Sequence, residues 1–457
     1  MRLLLAFLLN AGLLAVLVPW LRRQWRWAGS GWWRTVLAVG LGLRVLVGMA
    51  RNWTPKLDAE FMSGISKQVT AQLWASPSTA VQTLTKAITI MHIGSQSGGY
   101  DAVYQNTSNT WILIKLLALL NLASLGAGWL NGLYLSVFAF AGCWLLARAL
   151  AEALPHTPAA AGVVGFLLWP SVWFWATGIS KEAVLLGSGA WLMARVLKGL
   201  YGPPESAGQG SAQQRILWWL GTVLLALLHF QMRYFFALPL LGVLGGVALG
   251  HWLQRFGFAR YRWAQVAVLA AVLGAGVWLA PQFSIAFSIN KFTYQVIRVY
   301  SFEVAHSVGR PHFEYPVLRP TIESIAAHAP LAAVNTVTRP WLGEAWQPLY
   351  IAAALENVAL LGLLILAAVG TARGRAGHLP FGLGLGLGIF CVVLAMLIGL
   401  TTPNFGSLNR YRSELLPFLL LLLLQNDYAA ALLRRVRLGK GTQASGRPAK
   451  TSARPVA

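Results

Sequence analysis

Two carboxylates, Asp58 and Glu60, have the residue type and the position that a general base requires. They follow the second long apolar run by only a few residues, so both lie close to a membrane surface if that run crosses one. A carboxylate there can accept the proton of a hydroxyl group that attacks a lipid-linked sugar with inversion. Residues two apart share a face only in extended chain, so we expect one to be catalytic and the other its partner. The alternative is that Asp58 caps a helix starting near Ala59.

Basic side chains at the ends of three other apolar runs could bind an anionic group. They are Lys181, Arg233, and the pair Arg410 and Arg412. Guanidinium groups suit phosphate because each can donate two parallel hydrogen bonds. The plainer interpretations are a tight hairpin at Arg233, and lipid-headgroup contact with an Arg412–Glu414 pair for the other two arginines. The helix dipole disfavours a cation at a helix start, so it does not explain Lys181.

Further candidate ligands lie beside these residues or in polar loops. They are Glu182, Tyr234, Lys115 and Arg298. Glu182 also has a purely structural explanation, because an acidic side chain in the first turn of a helix favours the helix dipole. The histidines and the two cysteines lack the spacing of a metal site, so no metal ligands are predicted.

The composition of the chain requires a membrane. Of its 457 residues, 57% are hydrophobic and only 11% are charged, and several runs reach the roughly 20 apolar residues that cross about 30 Å of hydrocarbon. This excludes a soluble protein. We predict an all-α, polytopic integral membrane helical bundle with about eleven spans. The predicted spans are 2–20, 31–50, 129–150, 158–178, 182–198, 215–231, 235–253, 263–281, 350–370, 379–401 and 411–427.

Basic clusters set the predicted orientation. They lie at residues 22–26, 255–262, 373–375 and 434–454, and the positive-inside rule places them in the cytoplasm. Most of the 13 acidic residues then fall on the opposite side. The prediction is an inner (cytoplasmic) membrane protein with its N-terminus outside and its C-terminus inside. The net charge of +23 is therefore a topology signal with membrane lipid as the partner, and no nucleic-acid binding is expected.

The apolar run 111–125 is excluded from the spans, because counting it would put the later basic clusters on the same side as Asp58. It is predicted to lie along the outer interface, with Lys115 in its middle. The predicted organisation begins with two spans in 1–50 and a first outer loop, 51–128, with interfacial helices including 61–74 and 79–90. A central bundle, 129–281, and a second outer loop, 282–349, come next. The chain ends with C-terminal spans, 350–433, and a basic disordered tail, 434–457.

Four features of this layout resemble the C-type integral-membrane glycosyltransferase superfamily. They are an acidic residue early in the first outer loop, interfacial helices after it, a Lys-Glu turn after a proline-containing helix (170–182), and an Arg-x-Arg before a proline-containing span (410–417). The resemblance implies transfer of a sugar from a polyprenyl-phosphate carrier on the outer face, with Asp58 or Glu60 as base. It assigns the carrier phosphate to Lys181, Arg233, Arg410 and Arg412. No cofactor is implied, and use of a divalent metal stays open.

Three other functions stay open at this point. A polysaccharide polymerase or ligase would centre on the second outer loop, with Arg298, Arg310, His312 and Arg319. A flippase or transporter of lipid-linked sugars would need charges along a path through the spans, where they are sparse. A non-catalytic assembly protein would keep its activity when Asp58 and Glu60 are neutralised.

Overall fold

Helices form nearly all of the regular structure in the computed structural model, which describes residues 1–29, 31–51, 57–93, 100–106, 108–202 and 211–435. The elements are α1 (Arg2–Trp27), α2 (Trp32–Ala50), α3 (Leu57–Ala75), α4 (Pro77–Thr85), β1 (Ile88–Ile93), β2 (Tyr100–Gln105), α5 (Asn109–Ser124), α6 (Gly128–Ala153), α7 (Ala159–Val163), a π turn (Val164–Leu168), α8 (Pro170–Trp175), α9 (Lys181–Tyr201), α10 (Ala212–Met232), α11 (Tyr234–Gln254), α12 (Arg262–Phe283), a 3-10 turn (Ile285–Phe287), α13 (Ile289–Ala305), α14 (Ile322–Thr338), α15 (Pro348–Ala372), α16 (Phe381–Thr401), α17 (Phe405–Leu423) and α18 (Asp427–Arg435).

The predicted fold class, an all-α polytopic bundle, is confirmed. Within the described ranges, nine helices are long and apolar enough to cross a membrane: α1, α2, α6, α9, α10, α11, α12, α15 and α16. A tenth span results if α17 and α18, which meet at a bend of 99°, are counted together. The chain is therefore an integral membrane protein. Of the predicted basic tail, residues 436–457 lie outside the described ranges.

The predicted span 158–178 is broken into α7, the π turn and α8. Trp169 is extended, with φ −66° and ψ 124°, and Pro170 is the first residue of α8. A proline pushes the residue before it out of the helical region. It also has no backbone N–H to donate to the preceding turn of helix. Short helical segments on either side of Trp169 therefore replace one span, and this accounts for part of the difference from the eleven spans expected.

The segment predicted as the first outer loop contains a β-hairpin that the sequence analysis missed. A helix was expected over 79–90, but α4 ends at Thr85 and β1 begins at Ile88. β1 pairs with β2 antiparallel, in a register that runs from Ile88 opposite Gln105 to Ile93 opposite Tyr100. The segment 88–93 is rich in β-branched residues, which favour a strand over a helix. The other expected helix, 61–74, lies within α3.

The apolar run at 111–125 forms α5, a helix of 16 residues. At 1.5 Å per residue it is about 24 Å long, which is shorter than the hydrocarbon core. It packs against α3, where Thr70 donates to the carbonyl of Ala118 (3.0 Å) and Asn121 donates to Ser66 (3.0 Å). Leu125, with φ +54°, ends the helix. The expected short helix is present, and its place at the outer interface stays a prediction.

The most extensive helix contact in the bundle, between α6 and α9, depends on two glycines that bring the backbones together. A Cβ on Gly187 would lie 2.9 Å from the Cα of Ala139, and a Cβ on Gly142 would overlap the carbonyl oxygen of Gly187. Small residues of this kind drive helix association in membranes, because they let backbones approach closely. The contact fixes α9, whose first turn carries Lys181 and Glu182.

Replacing Gly142 with valine should therefore destabilise the protein. Overpacking of a tight contact costs about 1–3 kcal/mol, and here the clash is with backbone. We expect a clear fall in the thermal unfolding temperature of the purified protein, followed by circular dichroism. The matched control is Gly12→Val in α1, because a Cβ there meets no atom within 4 Å. Equal unfolding temperatures for the two variants would show that the α6–α9 contact is not as close as described.

Candidate functional site

A fully buried carboxylate, Glu182 in the first turn of α9, is the centre of a network of charges. One of its oxygens, Oε1, accepts a hydrogen bond from Arg410 Nε at 2.9 Å and another from Arg233 Nη2 at 2.8 Å. The Ser180 side chain caps the same helix by accepting from the Ala183 backbone at 3.1 Å. Three elements therefore meet at one carboxylate: α9, the α10–α11 turn and α17.

Arg410 extends this network to the surface. Its Nη1 donates to Oδ2 of Asp58 at 2.9 Å, so one guanidinium bridges two carboxylates. The Asp58 side chain is 68% exposed, whereas that of Glu182 is fully buried. We call Asp58, Arg410, Glu182 and Arg233 the Glu182 network. Asp58 is its only member that is open to solvent to this extent, and so the member that can meet a substrate.

The Arg233 guanidinium is enclosed by aromatic and acidic groups. It lies 3.9 Å from the ring centroid of Tyr411 and 5.2 Å from that of Phe236. Burial by itself would lower the pKa of Arg233, but the attraction of Tyr411, Glu414 and Glu182 outweighs it and raises the pKa. Arg233 is therefore held as a permanent cation. Its charge and that of Arg410 balance those of Glu182 and Asp58.

Lys181 lies beside the network but points to a different helix. Its Nζ donates to Asn109 at 3.0 Å and to Thr110 at 2.7 Å, both in the first turn of α5. Both partners are neutral, so neither offsets the charge of the lysine. The lysine thus fixes α5 against α9 and adds one positive charge next to Glu182.

A polar cavity of about 330 Å³ is lined by α3 from the residue after Asp58 onward, and Asp58 itself is not among its lining residues. The two residues that follow Asp58 in α3, Ala59 and Glu60, line it, together with Ser63 and Lys67. Residues 60, 63, 64 and 67 recur at helical spacing, so α3 presents one continuous face to the cavity. The remaining lining is provided by Gly48, Arg51, Gly64, Gly128, Gly132, Gly178 and Ile179.

Close contacts between glycines form one wall of this cavity. A Cβ on Gly132 would lie 3.4 Å from the Cα of Gly178, and Gly178 has φ +68°, a conformation that favours glycine. Ser136 holds the wall together, since it donates to the Gly132 carbonyl at 2.7 Å and accepts from the Gly178 amide at 2.9 Å. The end of α2, the start of α6 and the 176–180 turn therefore meet through direct backbone contacts.

Arg51 links the cavity to the Glu182 network. It donates to the carbonyls of Phe174 at 2.6 Å, Trp175 at 2.9 Å and Thr177 at 2.8 Å. Burial lowers the pKa of Arg51 to about 10, with Glu182 acting against this shift and Arg410 adding to it. Arg51 therefore lines the cavity and also lies within electrostatic reach of Glu182 and Arg410.

Glu303 on α13 also approaches this site, and the sequence analysis did not select it. Burial raises the pKa of Glu303, while a hydrogen bond from the Ser407 side chain and the charges of His306 and Arg410 act in the opposite direction. Asp58 adds to the rise. Nothing in the sequence distinguishes Glu303 from Glu314, Glu323 and Glu344 in the same loop.

Several predicted ligands lie apart from the Glu182 network. Arg412 is buried, and its Nη1 donates to the Arg339 carbonyl and to Asn357, each at 2.7 Å. Tyr234 packs edge-on against Phe287, 5.3 Å between ring centroids. Lys115 bonds to Asn106, and Arg298 is exposed on α13. The structure brings together Asp58, Lys181, Glu182, Arg233 and Arg410, places Glu60 in the adjoining cavity, and leaves these four as predictions.

Comparison with known proteins gives no relative. No protein-family model, no curated protein and no solved structure matches the chain. In the part of the chain that the structure describes, no three His, Cys, Asp or Glu side chains come close enough to hold a metal ion. The site therefore has to be interpreted from its own geometry.

Neutralising Glu182 should lower the free energy of unfolding of the protein. Glu182→Gln removes the hydrogen-bonded carboxylate from Arg233 and leaves Arg410 paired, among the described residues, only with the exposed Asp58, and breaking a buried pair costs about 3–5 kcal/mol. Chemical unfolding of the purified protein measures this loss. Glu152→Gln is the matched control, because its pairs with Arg148 and Lys198 are partly exposed and worth about 1 kcal/mol or less. A loss at Glu182 no larger than at Glu152 would contradict the central place given to this carboxylate.

Proposed function

We propose that this protein is a membrane glycosyltransferase that moves a sugar from a polyprenyl-phosphate carrier to a hydroxyl group of an acceptor, on the outer face of the cytoplasmic membrane. One observation carries the proposal. Asp58 is an exposed carboxylate that Arg410 ties to a buried charge network, and the residues that follow it in α3, beginning with Ala59 and Glu60, line a polar cavity of about 330 Å³. That volume is within the range of about 300–1,000 Å³ typical of small-molecule sites.

In the proposed reaction Asp58 is the general base. Arg410 engages Oδ2, which leaves Oδ1 to accept the proton of the acceptor hydroxyl. As the proton leaves, the acceptor oxygen forms its bond to the sugar carbon from the side opposite the carrier. The bond from that carbon to the phosphate oxygen breaks, and the carrier phosphate keeps the electron pair. The sugar is transferred with inversion.

The departing phosphate gains negative charge, which basic side chains of the site would stabilise. In the described part of the chain Lys181 donates to two neutral side chains, Asn109 and Thr110, so neither of these bonds neutralises its charge. Lys67 lines the cavity and is exposed. Arg410 already binds two carboxylates and mainly positions Asp58. We assign Lys181 and Lys67 to the phosphate, and Glu60 and Ser63 to the hydroxyl groups of the sugar.

The proposed side of the membrane follows from the charge distribution. The basic clusters at 22–26, 255–262 and 373–375 belong in the cytoplasm by the positive-inside rule. α2 carries the chain from the first of these clusters to Arg51 at the cavity. The cavity and Asp58 then lie outside, where a carrier that has crossed the membrane presents its sugar.

Removing the proposed base should stop the reaction without unfolding the protein. Asp58→Asn loses proton acceptance, which is worth about 10²- to 10⁴-fold in rate, and removes no buried contact. The measurement uses cells that lack the protein and accumulate its lipid-linked sugar donor. Wild-type protein should clear that donor, and Asp58→Asn should not.

The matched control is Asp101→Asn. Asp101 is an exposed carboxylate of the same outer loop, and it pairs with His92 on the hairpin at 2.9 Å. This variant should clear the donor like the wild type. Clearance by Asp58→Asn at the wild-type rate would place the base elsewhere, and Glu303→Gln would be the next variant to measure.

A further inference from the structure

An open groove separates the first two helices at the end of the bundle opposite the candidate site. In α1, among described residues, only Ala6 and Gln24 are buried, so this helix lies at the edge of the bundle. Near its end it borders a groove of about 660 Å³ between Leu21, Arg22, Trp25 and Arg26 on α1 and Ala38 and Leu41 on α2. Arg51, at the candidate site, follows the other end of α2.

The groove combines apolar walls with a basic rim. Leu21, Ala38 and Leu41 provide the apolar part. Arg22 and Arg26 are both exposed and lie one helical turn apart, so their guanidiniums can reach the same ligand. No acidic side chain is among the residues that line it. The rim therefore carries two positive charges that no residue of the groove neutralises.

Aromatic groups mark the depth of this rim. Trp25 is 44% exposed at the groove, and the Arg34 guanidinium lies 5.3 Å from the centroid of its ring. Exposed tryptophans and arginines concentrate at the boundary between hydrocarbon and headgroups. The basic rim thus lies at headgroup level, with the apolar walls reaching toward the hydrocarbon.

We propose that this groove binds one anionic phospholipid. An acyl chain fills the space between α1 and α2, because an apolar gap in a bilayer loses the contacts that hydrocarbon would supply. The phosphate of the headgroup accepts hydrogen bonds from Arg22 and Arg26. A lipid with net negative charge matches the rim, whereas a zwitterionic lipid brings a cation as well. The site does not depend on the proposed function.

Native mass spectrometry of the purified full-length protein tests the proposal. The protein is titrated with phosphatidylglycerol or phosphatidylcholine, and the tightest-bound lipid is followed. Wild-type protein should retain phosphatidylglycerol more tightly than phosphatidylcholine. Arg22→Gln/Arg26→Gln should weaken that binding roughly 30-fold, since each basic side chain near a headgroup contributes about a fivefold factor.

Two further variants separate this site from general attraction to charge. Arg23→Gln/Arg255→Gln removes the same charge from exposed arginines outside the groove and should bind like the wild type. Ala38→Trp keeps every charge but fills the groove from the exposed face of α2, so it should lose the bound lipid of either kind.

Three results would overturn the proposal. One is equal retention of the two lipids by the wild type. Another is equal weakening by the two double-arginine variants, which would show non-specific attraction. The third is a dimer mass that Ala38→Trp abolishes, which would assign the groove to a second copy of the chain.

Discussion

The two hydrogen bonds that Glu182 Oε1 accepts, from Arg233 and Arg410, are the interaction on which the site depends. A buried carboxylate is expensive in a protein interior unless it is paired and hydrogen-bonded. Here one cation comes from the α10–α11 turn and one from α17. Because Glu182 is stable in the interior only when both cations bind it, its burial requires three distant segments to pack together. The glycine contact of α6 with α9 supports the same arrangement, because it fixes the helix that carries Glu182.

In the proposed function, the network separates the residues that position the base from the base itself. Glu182 and Arg233 are buried and fix the geometry, while Asp58 is exposed and receives its position from Arg410. A base held in this way needs little reorganisation during a reaction, which is how fixed charges lower barriers. Arg51, which lines the cavity, binds the carbonyls of residues 174–177 and so fixes the chain there. One buried anion is therefore linked to Asp58 through Arg410, and it acts electrostatically on Arg51 at the cavity.

Sequence analysis could find the spans and the charges at their ends, because apolar length and charge position are local properties. It could not decide which of those charges meet. Arg410 and Arg412 look equivalent in the chain, yet they point to different sides of α17, and only packing sets the rotation of that helix. The same limit explains Glu303, whose proximity to Asp58 arises from contacts between the second outer loop and α17.

Two misses in the fold have different causes, one local and one a pairing between segments. Pro170 was visible in the sequence, but the apolar residues around it favoured one continuous span, and the break depended on the extended conformation of Trp169. In the first outer loop, the hairpin requires β1 to find β2 as its partner, which a helical pattern over 79–90 does not indicate. Pairing between segments was again the information that single-segment periodicity lacks.

Proximity of positions 58 and 410 is the most direct measure of the central claim, since the start of α3 and α17 must lie side by side for Arg410 to reach both Asp58 and Glu182. Cysteines at both positions, in membranes, are treated with a short bifunctional thiol reagent. The network predicts an intramolecular cross-link. Cysteines at 410 and 255 are the control pair, because α11, with 21 residues, separates Arg255 from Arg233 by about 30 Å. No cross-link between 58 and 410, or equal cross-linking of the two pairs, would contradict the account.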